Sequence, residues 1–307
     1  MELLRSIGIS EPVLQFMLIN AILGLSIYLT LFTGMFSLAN AGFMAIGTYT
    51  GVILTQQFGL PLWGGLIGGM LLAGLIALPI GLPVLRLRDI YLAIATIGFG
   101  EIVRILILNF DPLVSSIVGQ PIKMTYGALG ISGIPQLTQT WHLVVFLIII
   151  SYCIARLHRS RFGRAMAAIR QDEQAAANMG INVVYVKNMV FILSAVLAAA
   201  AGVLKAHFAR TIDPGDYGFS QAVDILAFAV LGGTTTFVGP IVGGFVLTAM
   251  PEILRDFKQY RGIINGVILL LVIVYLPGGL VNPAGWARLW QRLRGKSSFK
   301  PVEAETG

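Results

Sequence analysis

From Pro12 to Leu31 twenty consecutive residues carry no charge, and apolar runs of this kind recur along almost the whole sequence. About 20 apolar residues cross a bilayer as a helix. Only helices and closed barrels satisfy every backbone N–H and C=O group where water is absent. Repeated helix-length runs therefore restrict the chain to an all-α, polytopic integral membrane protein. Charge usage agrees: 11% of residues are charged, against about 25% in soluble domains, and the mean hydropathy is +0.84. No polar stretch is long enough for a soluble domain. The sequence reads as one membrane domain over residues 1–287 with a basic tail, 288–307, on its end. The first apolar run, Val13 to Phe32, exceeds the roughly 7–15 residues of a signal-peptide core and reads as a retained span. Cys153 stands alone in another run, so no intrachain disulfide can form.

Taken in order, spans are expected at Pro12–Leu31, up to Gln56, Pro61–Gly81, Ile90–Phe110, Trp141–Leu157 and Val183–Phe208. Asp111-Pro112 is expected to stop the fourth, before a polar connection Leu113–Thr140 rich in glycine. Thr211–Gly218 (TIDPGDYG) reads as a turn-rich loop. Ala222–Leu231 is too short to cross alone and Ile241–Leu254 follows it, either as two crossings or as a re-entrant pair. A last span covers Ile263–Leu276, which makes eight or nine in all.

Between the fifth and sixth spans lies RLHRSRFGRAMAAIRQDEQAAANMGINVVYVK, Arg156 to Lys187. It carries Arg156, Arg159, Arg161, Arg164, Arg170 and Lys187 against Asp172 and Glu173. Ala165, Met166 and Ile169, then Ala176, Ala177 and Met179, fall at three- and four-residue spacings. Gly163 and Gly180 flank this pattern as turns would. A positively charged loop that merely fixes topology accounts for the arginines. It does not account for an apolar face, which points to a short docking helix for a soluble partner. With this loop and the tail placed in the cytoplasm, thirteen of the 21 Lys and Arg lie on that side and seven on the other, with Arg104 inside a span. The net charge of +7 is thus read as membrane orientation and affinity for anionic lipid, not as nucleic-acid binding.

Two stretches break the apolar pattern alike: Thr33–Gly42 (TGMFSLANAG) and Gly232–Pro240 (GGTTTFVGP). Non-helical backbone at membrane depth needs protein or a water-filled cavity around it, and paired breaks in the two halves of a transporter point to its substrate path. Thr33, Gly34, Ser37, Asn40, Gly42, Gly232, Gly233 and Thr234 are the candidates. Close helix packing through small residues explains the same glycines, and the two readings are compatible. Glu101 and Arg104 stand three apart on one face of the fourth span. They form either a structural ion pair or part of the path.

No G-x-x-x-x-G-K-[ST] phosphate loop occurs, and His142, His158 and His207 are scattered without a metal-ligand or peptidase spacing. No G-x-S-x-G elbow occurs either. The chain reads as a non-enzyme that binds no cofactor or metal. A membrane path without its own energy source is passive, ion-coupled or driven by another subunit, and the docking helix favours the last.

Gly163–Asn182 resembles the ATPase-docking loop of bacterial ABC importer permeases, whose hallmark is Glu-Ala-Ala, three residues, then Gly. Here it stands as Gln174-Ala175-Ala176, then Ala177-Asn178-Met179, then Gly180, with Gln in place of Glu. LFTGMFSLANAGFMAIGTYT (Leu31–Thr50), DIYLAIATIGFGEIVR (Asp89–Arg104) and VLGGTTTFVGPIVG (Val230–Gly243) are similar to segments of the branched-chain amino acid permease family, in its LivM-like half. The likeness covers about residues 13–280. It implies an importer with a second, LivH-like permease, two cytoplasmic ATPases that hold the ATP-Mg, and an extracytoplasmic binding protein, in the inner membrane of a bacterium with the C-terminus cytoplasmic. It implies alternating access, with a neutral or branched-chain amino acid as substrate; a related branch moves urea or short amides. ATPase coupling would then rest on Gly163, Arg164, Ala167, Arg170, Ala175, Ala176, Met179 and Gly180 within residues 159–182. Arg164 and Arg170 would set register, and Ala167, Ala176 and Met179 would form the packed face.

Overall fold

The computed structural model describes residues 10–87, 89–120 and 123–253, with residues 266, 270 and 279–281. The expected last span apart from residues 266 and 270, the loop before it and the basic tail lie outside the described residues. The helices are α1 (Glu11–Phe32), α2 (Asn40–Gln56), α3 (Leu62–Val84), α4 (Asp89–Leu108), α5 (Phe110–Val118), α6 (Thr140–Arg159), α7 (Arg161–Gln171), α8 (Glu173–Asn178), α9 (Val183–Ala209), α10 (Phe219–Gly232) and α11 (Val238–Ile253). Among them α1, α3, α4, α6 and α9 are long and apolar enough to cross a membrane, while α10 and α11 are shorter apolar helices. Apart from the helices, β1 (Ile131–Ser132) and β2 (Thr211–Ile212) form a two-stranded antiparallel pair.

Helix α9 is the axis of the fold, packed against α1, α2 and α3. Its run Ala198–Ala201 is fully buried. With no hydrophobic effect to drive helices together in lipid, close backbone approach through small residues supplies the attraction. At the α2–α9 crossing a Cβ on Gly47 would fall on the backbone of Ala199, and one on Gly202 would fall on the carbonyl of Met44. Helix α3 joins the same contact, where a Cβ on Gly69 would lie 2.9 Å from the Gly47 carbonyl oxygen. The glycines on these faces serve packing.

Helix α11 runs antiparallel to α1: Pro240 meets Gly24, Gly244 meets Ala21, and Asn20 Nδ2 donates to Thr248 Oγ1 at 2.9 Å. Helices α10 and α11 pack on each other as a hairpin. At about 1.5 Å per residue α10 and the described part of α11 are each shorter than the ~30 Å hydrocarbon layer.

Chain direction puts the α1, α3 and α6 C-termini and the start of α9 on one face with the arginine-rich segment, called here the basic face. On the opposite face the polar connection is more ordered than a loop. The fourth span ends at Leu108, and Asp111 sits in the first turn of α5. Its buried carboxylate accepts from the backbone N–H groups of Met124, Thr125 and Tyr126 at 2.8–2.9 Å and from Thr125 Oγ1 at 3.1 Å. Burial pushes this carboxyl upward, but the four donors outweigh it and hold it below the usual carboxylate range. The TIDPGDYG stretch likewise folds inward. It contains β2 and a 3-10 turn, Pro214–Tyr217, whose Tyr217 is 2% exposed with its ring 6.1 Å from that of Tyr49.

Candidate functional site: the basic segment and the two broken stretches

The segment between α6 and α9 folds as two helices where the sequence pattern suggested one. Ser160 ends α6 and caps α7: its hydroxyl donates to the Leu157 carbonyl at 2.6 Å and accepts from Gly163 N–H at 3.2 Å. Gly163 therefore sits inside the first turn and does not open the helix. It is glycine because a Cβ there would strike the backbone of Leu157 and His158. At Asp172 the backbone turns extended (φ −156°, ψ 114°), and Asp172 Oδ1 accepts from Gln174 and Ala175 N–H at 2.8 and 3.0 Å, starting α8. An N-cap aspartate so placed breaks one helix and begins the next. Gly180 has φ +83°. Its N–H reaches the Ala177 carbonyl and that of Ile181 reaches Ala176, a Schellman closure that favours glycine.

The apolar face of α7 is covered by this chain itself. Met166 and Ile169 are buried against the core, as is Ala176 of α8. Ala176 was expected to meet a partner, and the structure corrects this: its side of α8 faces inward. Ala167 is half-buried. What α8 offers outward is Ala175, Ala177 and Met179, the last 87% exposed, while Arg164 and Arg170 are exposed on α7.

Arg170 joins the basic segment to both broken stretches. A Cβ on Gly34, which has φ +82°, would lie 3.2 Å from Arg170 Cα. Arg170 Nη1 donates to the Thr234 carbonyl at 3.4 Å. A second link is one that sequence reasoning missed, His158 at the end of α6. Its ring stacks on Phe32 at 4.2 Å, with Tyr28 at 5.5 Å and Phe237 at 6.4 Å. Phe32 ends α1 just before the first break, and Phe237 lies within the second. A histidine among aromatic residues at a helix end was visible in the sequence only as a scattered residue.

Both breaks are packed into protein over much of their length. Thr33, Ser37 and Asn40 are 1–3% exposed. Leu38 N–H donates to Thr96 Oγ1 at 2.9 Å, and Asn40 Nδ2 donates to Ser26 Oγ at 2.8 Å and Ser194 Oγ at 3.0 Å. Gly42 packs against Gly100. In the second break Gly232 and Gly233 are buried, and the carbonyls of Leu231 and Gly232 accept from Leu280 and Val281 N–H at 3.0 and 3.2 Å. Thr234 is half-buried, and Thr235 and Thr236 are exposed at the basic face. Glu101 is 41% exposed and pairs with Arg104, whose Nε donates to it at 2.9 Å, on the side of α4 next to Gly218. Elsewhere α3 and α4 diverge around a crevice of 1090 Å³ lined by Ile76, Phe99, Ile102 and Leu106 among others. This lining is too apolar to recognise an amino-acid zwitterion.

A labelling experiment follows. With Cys153 replaced, cysteines at Thr235 and Thr236 are expected to react with water-soluble thiol reagents, while Ser37→Cys and Asn40→Cys stay inert in the isolated chain. Rapid labelling at position 40 would reveal a water path through the core and overturn the packed description.

The long helices, the core crossings through glycine and the basic segment clamped to two interrupted stretches define a polytopic permease-like membrane protein. The chain belongs to the family described as branched-chain amino acid transport system / permease component, whose profile matches residues 9–276. It is 33% identical over 297 residues to the high-affinity branched-chain amino acid transport system permease protein LivM of Escherichia coli K12, covering 86% of this chain. It spans 66% of the length of that protein. It is 31% identical over 142 residues, 46% of each chain, to the corresponding LivH of Salmonella typhimurium. It is 25% identical over 296 residues to a probable LivH of Methanocaldococcus jannaschii, covering 89% of this chain and 90% of the relative. No solved structure matches.

Proposed function

We propose that this chain is one permease subunit of an ATP-driven importer of neutral and branched-chain amino acids in a bacterial inner membrane, with its basic face and C-terminus cytoplasmic. It pairs with a second, LivH-like permease, receives substrate from an extracytoplasmic binding protein, and takes energy from two ATPase subunits at α7–α8. The observation that carries this reading is the position of Arg170. One residue of the exposed segment meets both interrupted stretches, its backbone at Gly34 and its guanidinium at the Thr234 carbonyl, so displacing α7 is expected to displace both. Residues 279–281 hydrogen-bond to the end of α10 on the same face, which supports a cytoplasmic C-terminus. The permease names of its relatives and the resemblance of Gly163–Asn182 to an ATPase-docking loop support the partner set. An ion-coupled carrier would use Glu101 as its coupling carboxylate, and Arg104 already neutralises it.

Reconstitution tests the proposal. In lipid vesicles the chain alone is expected neither to hydrolyse ATP nor to accumulate leucine against a gradient. Uphill leucine uptake is expected once the second permease, the ATPases, the binding protein and ATP are supplied. Uptake by the chain alone under a proton or sodium gradient would replace the proposal with an ion-coupled carrier. Uptake of urea but not leucine by the complete system would select the amide branch.

A further inference from the structure

At the basic face, α3, α8 and α9 enclose a cavity of 230 Å³. Leu82 of α3 and Val184 of α9 form its apolar outer side, and they are 45% and 57% exposed. Arg86, two residues beyond α3, and Lys187 supply two cations, and Glu173 of α8 supplies one carboxylate. Lys187 is 8% exposed, an unusual burial for a lysine, and its Nζ contacts Glu173 Oε2 at 2.6 Å. The amino end of α9 opens on the same cavity through Val183 and adds the positive end of a helix dipole.

We infer that this cavity holds the phosphate of an anionic phospholipid from the leaflet at the basic face, bound by Arg86 and Lys187. Three features fit a lipid and not a soluble anion. The cavity lies at the end of α3 and the start of α9, its outer side carries the exposed apolar Leu82 and Val184, and its lining has a net positive charge, the sign that attracts anionic headgroups. The phosphate would compete with Glu173 for Lys187. Because Glu173 is the first residue of α8, the lipid loosens the tie between α8 and α9. This assignment concerns lipid binding by the chain itself and does not depend on the transport reading.

The test is native mass spectrometry of the full chain released from mixed micelles containing equal phosphatidylglycerol and phosphatidylcholine. Preferential retention of phosphatidylglycerol is expected. Retention should fall about fivefold for each cation removed in Arg86→Gln and Lys187→Gln, as befits one Lys or Arg at an anionic headgroup. It should rise in Glu173→Gln, which frees Lys187. Arg159→Gln and Arg161→Gln, on the same face but outside the cavity, should leave it unchanged. Should Lys187→Gln fail to fold without its ion pair, Arg86→Gln and Glu173→Gln still give opposite signs. Equal retention of the two lipids, or equal losses in the Arg159 and Arg161 variants, would overturn the inference. So would displacement of phosphatidylglycerol by millimolar inorganic phosphate, which would mark a soluble-anion site.

Discussion

Gly47→Ala is expected to destabilise the protein sharply, and Gly47→Val to remove it from the membrane altogether. The added methyl group would meet the backbone of Ala199, not a movable side chain. Only separation of α2 from α9 can relieve that contact. The same separation would open the Gly69 approach of α3 and the Gly202 contact with Met44. Overpacking a close-packed interior typically costs about 1–3 kcal/mol, and a contact shared by three helices belongs at or above the upper end of that range. Gly98 is the control. It lies on α4, it is exposed, and a Cβ there would meet no atom within 4 Å. Gly98→Ala should therefore be neutral or gain up to about 1 kcal/mol from helix propensity. Identical chemistry at two helical glycines thus gives opposite signs. Thermal unfolding of the two purified variants in detergent reads both, and equal melting would show that the α2–α9 crossing is looser than described.

The spans were legible because lipid imposes a length and forbids charge. α1, α3, α6 and α9 begin and end within a few residues of the apolar runs that announce them. The direction in which a face points was not legible. Periodicity shows that α7 has an apolar stripe, but it cannot say whether a partner or the same chain covers it, and Met166 and Ile169 turn inward. Asp172 could have been read as an N-cap and the division into α7 and α8 foreseen, since a capping residue inside a helical pattern is a local signal. The roles of His158 and of the Lys187–Glu173 pair depend on chain segments brought together only by folding. The broken stretches were visible from their glycines, while their packing into protein depended on partners as distant as Thr96, Leu280 and Val281.

Arg170→Ala is expected to reduce transport by the assembled system about tenfold or more, which corresponds to about 1.4 kcal/mol, while the protein still inserts and assembles. The energetics separate the two effects. Arg170 is exposed and its 3.4 Å bond to the Thr234 carbonyl is long, so its loss costs little stability. Its position is what matters, because its backbone packs at the Gly34 turn while its guanidinium reaches the Thr234 turn. Without it, motion of α7 still reaches the first break through the Arg170 backbone, but no longer reaches the second through this bond. Arg170→Lys retains charge with a single ammonium on a flexible stem and should recover transport in part. Gly34→Val attacks the same junction from the other side. Valine at φ +82° is strained by roughly 1–3 kcal/mol, and its Cβ would press on Arg170 Cα. That variant should lose transport more completely than Arg170→Ala. The comparison to make is substrate uptake against ATP hydrolysis in the same vesicles. Coupling through α7 requires uptake to fall while hydrolysis persists; parental uptake by Arg170→Ala would show that force enters elsewhere, with the exposed Met179 end of α8 the next place to look.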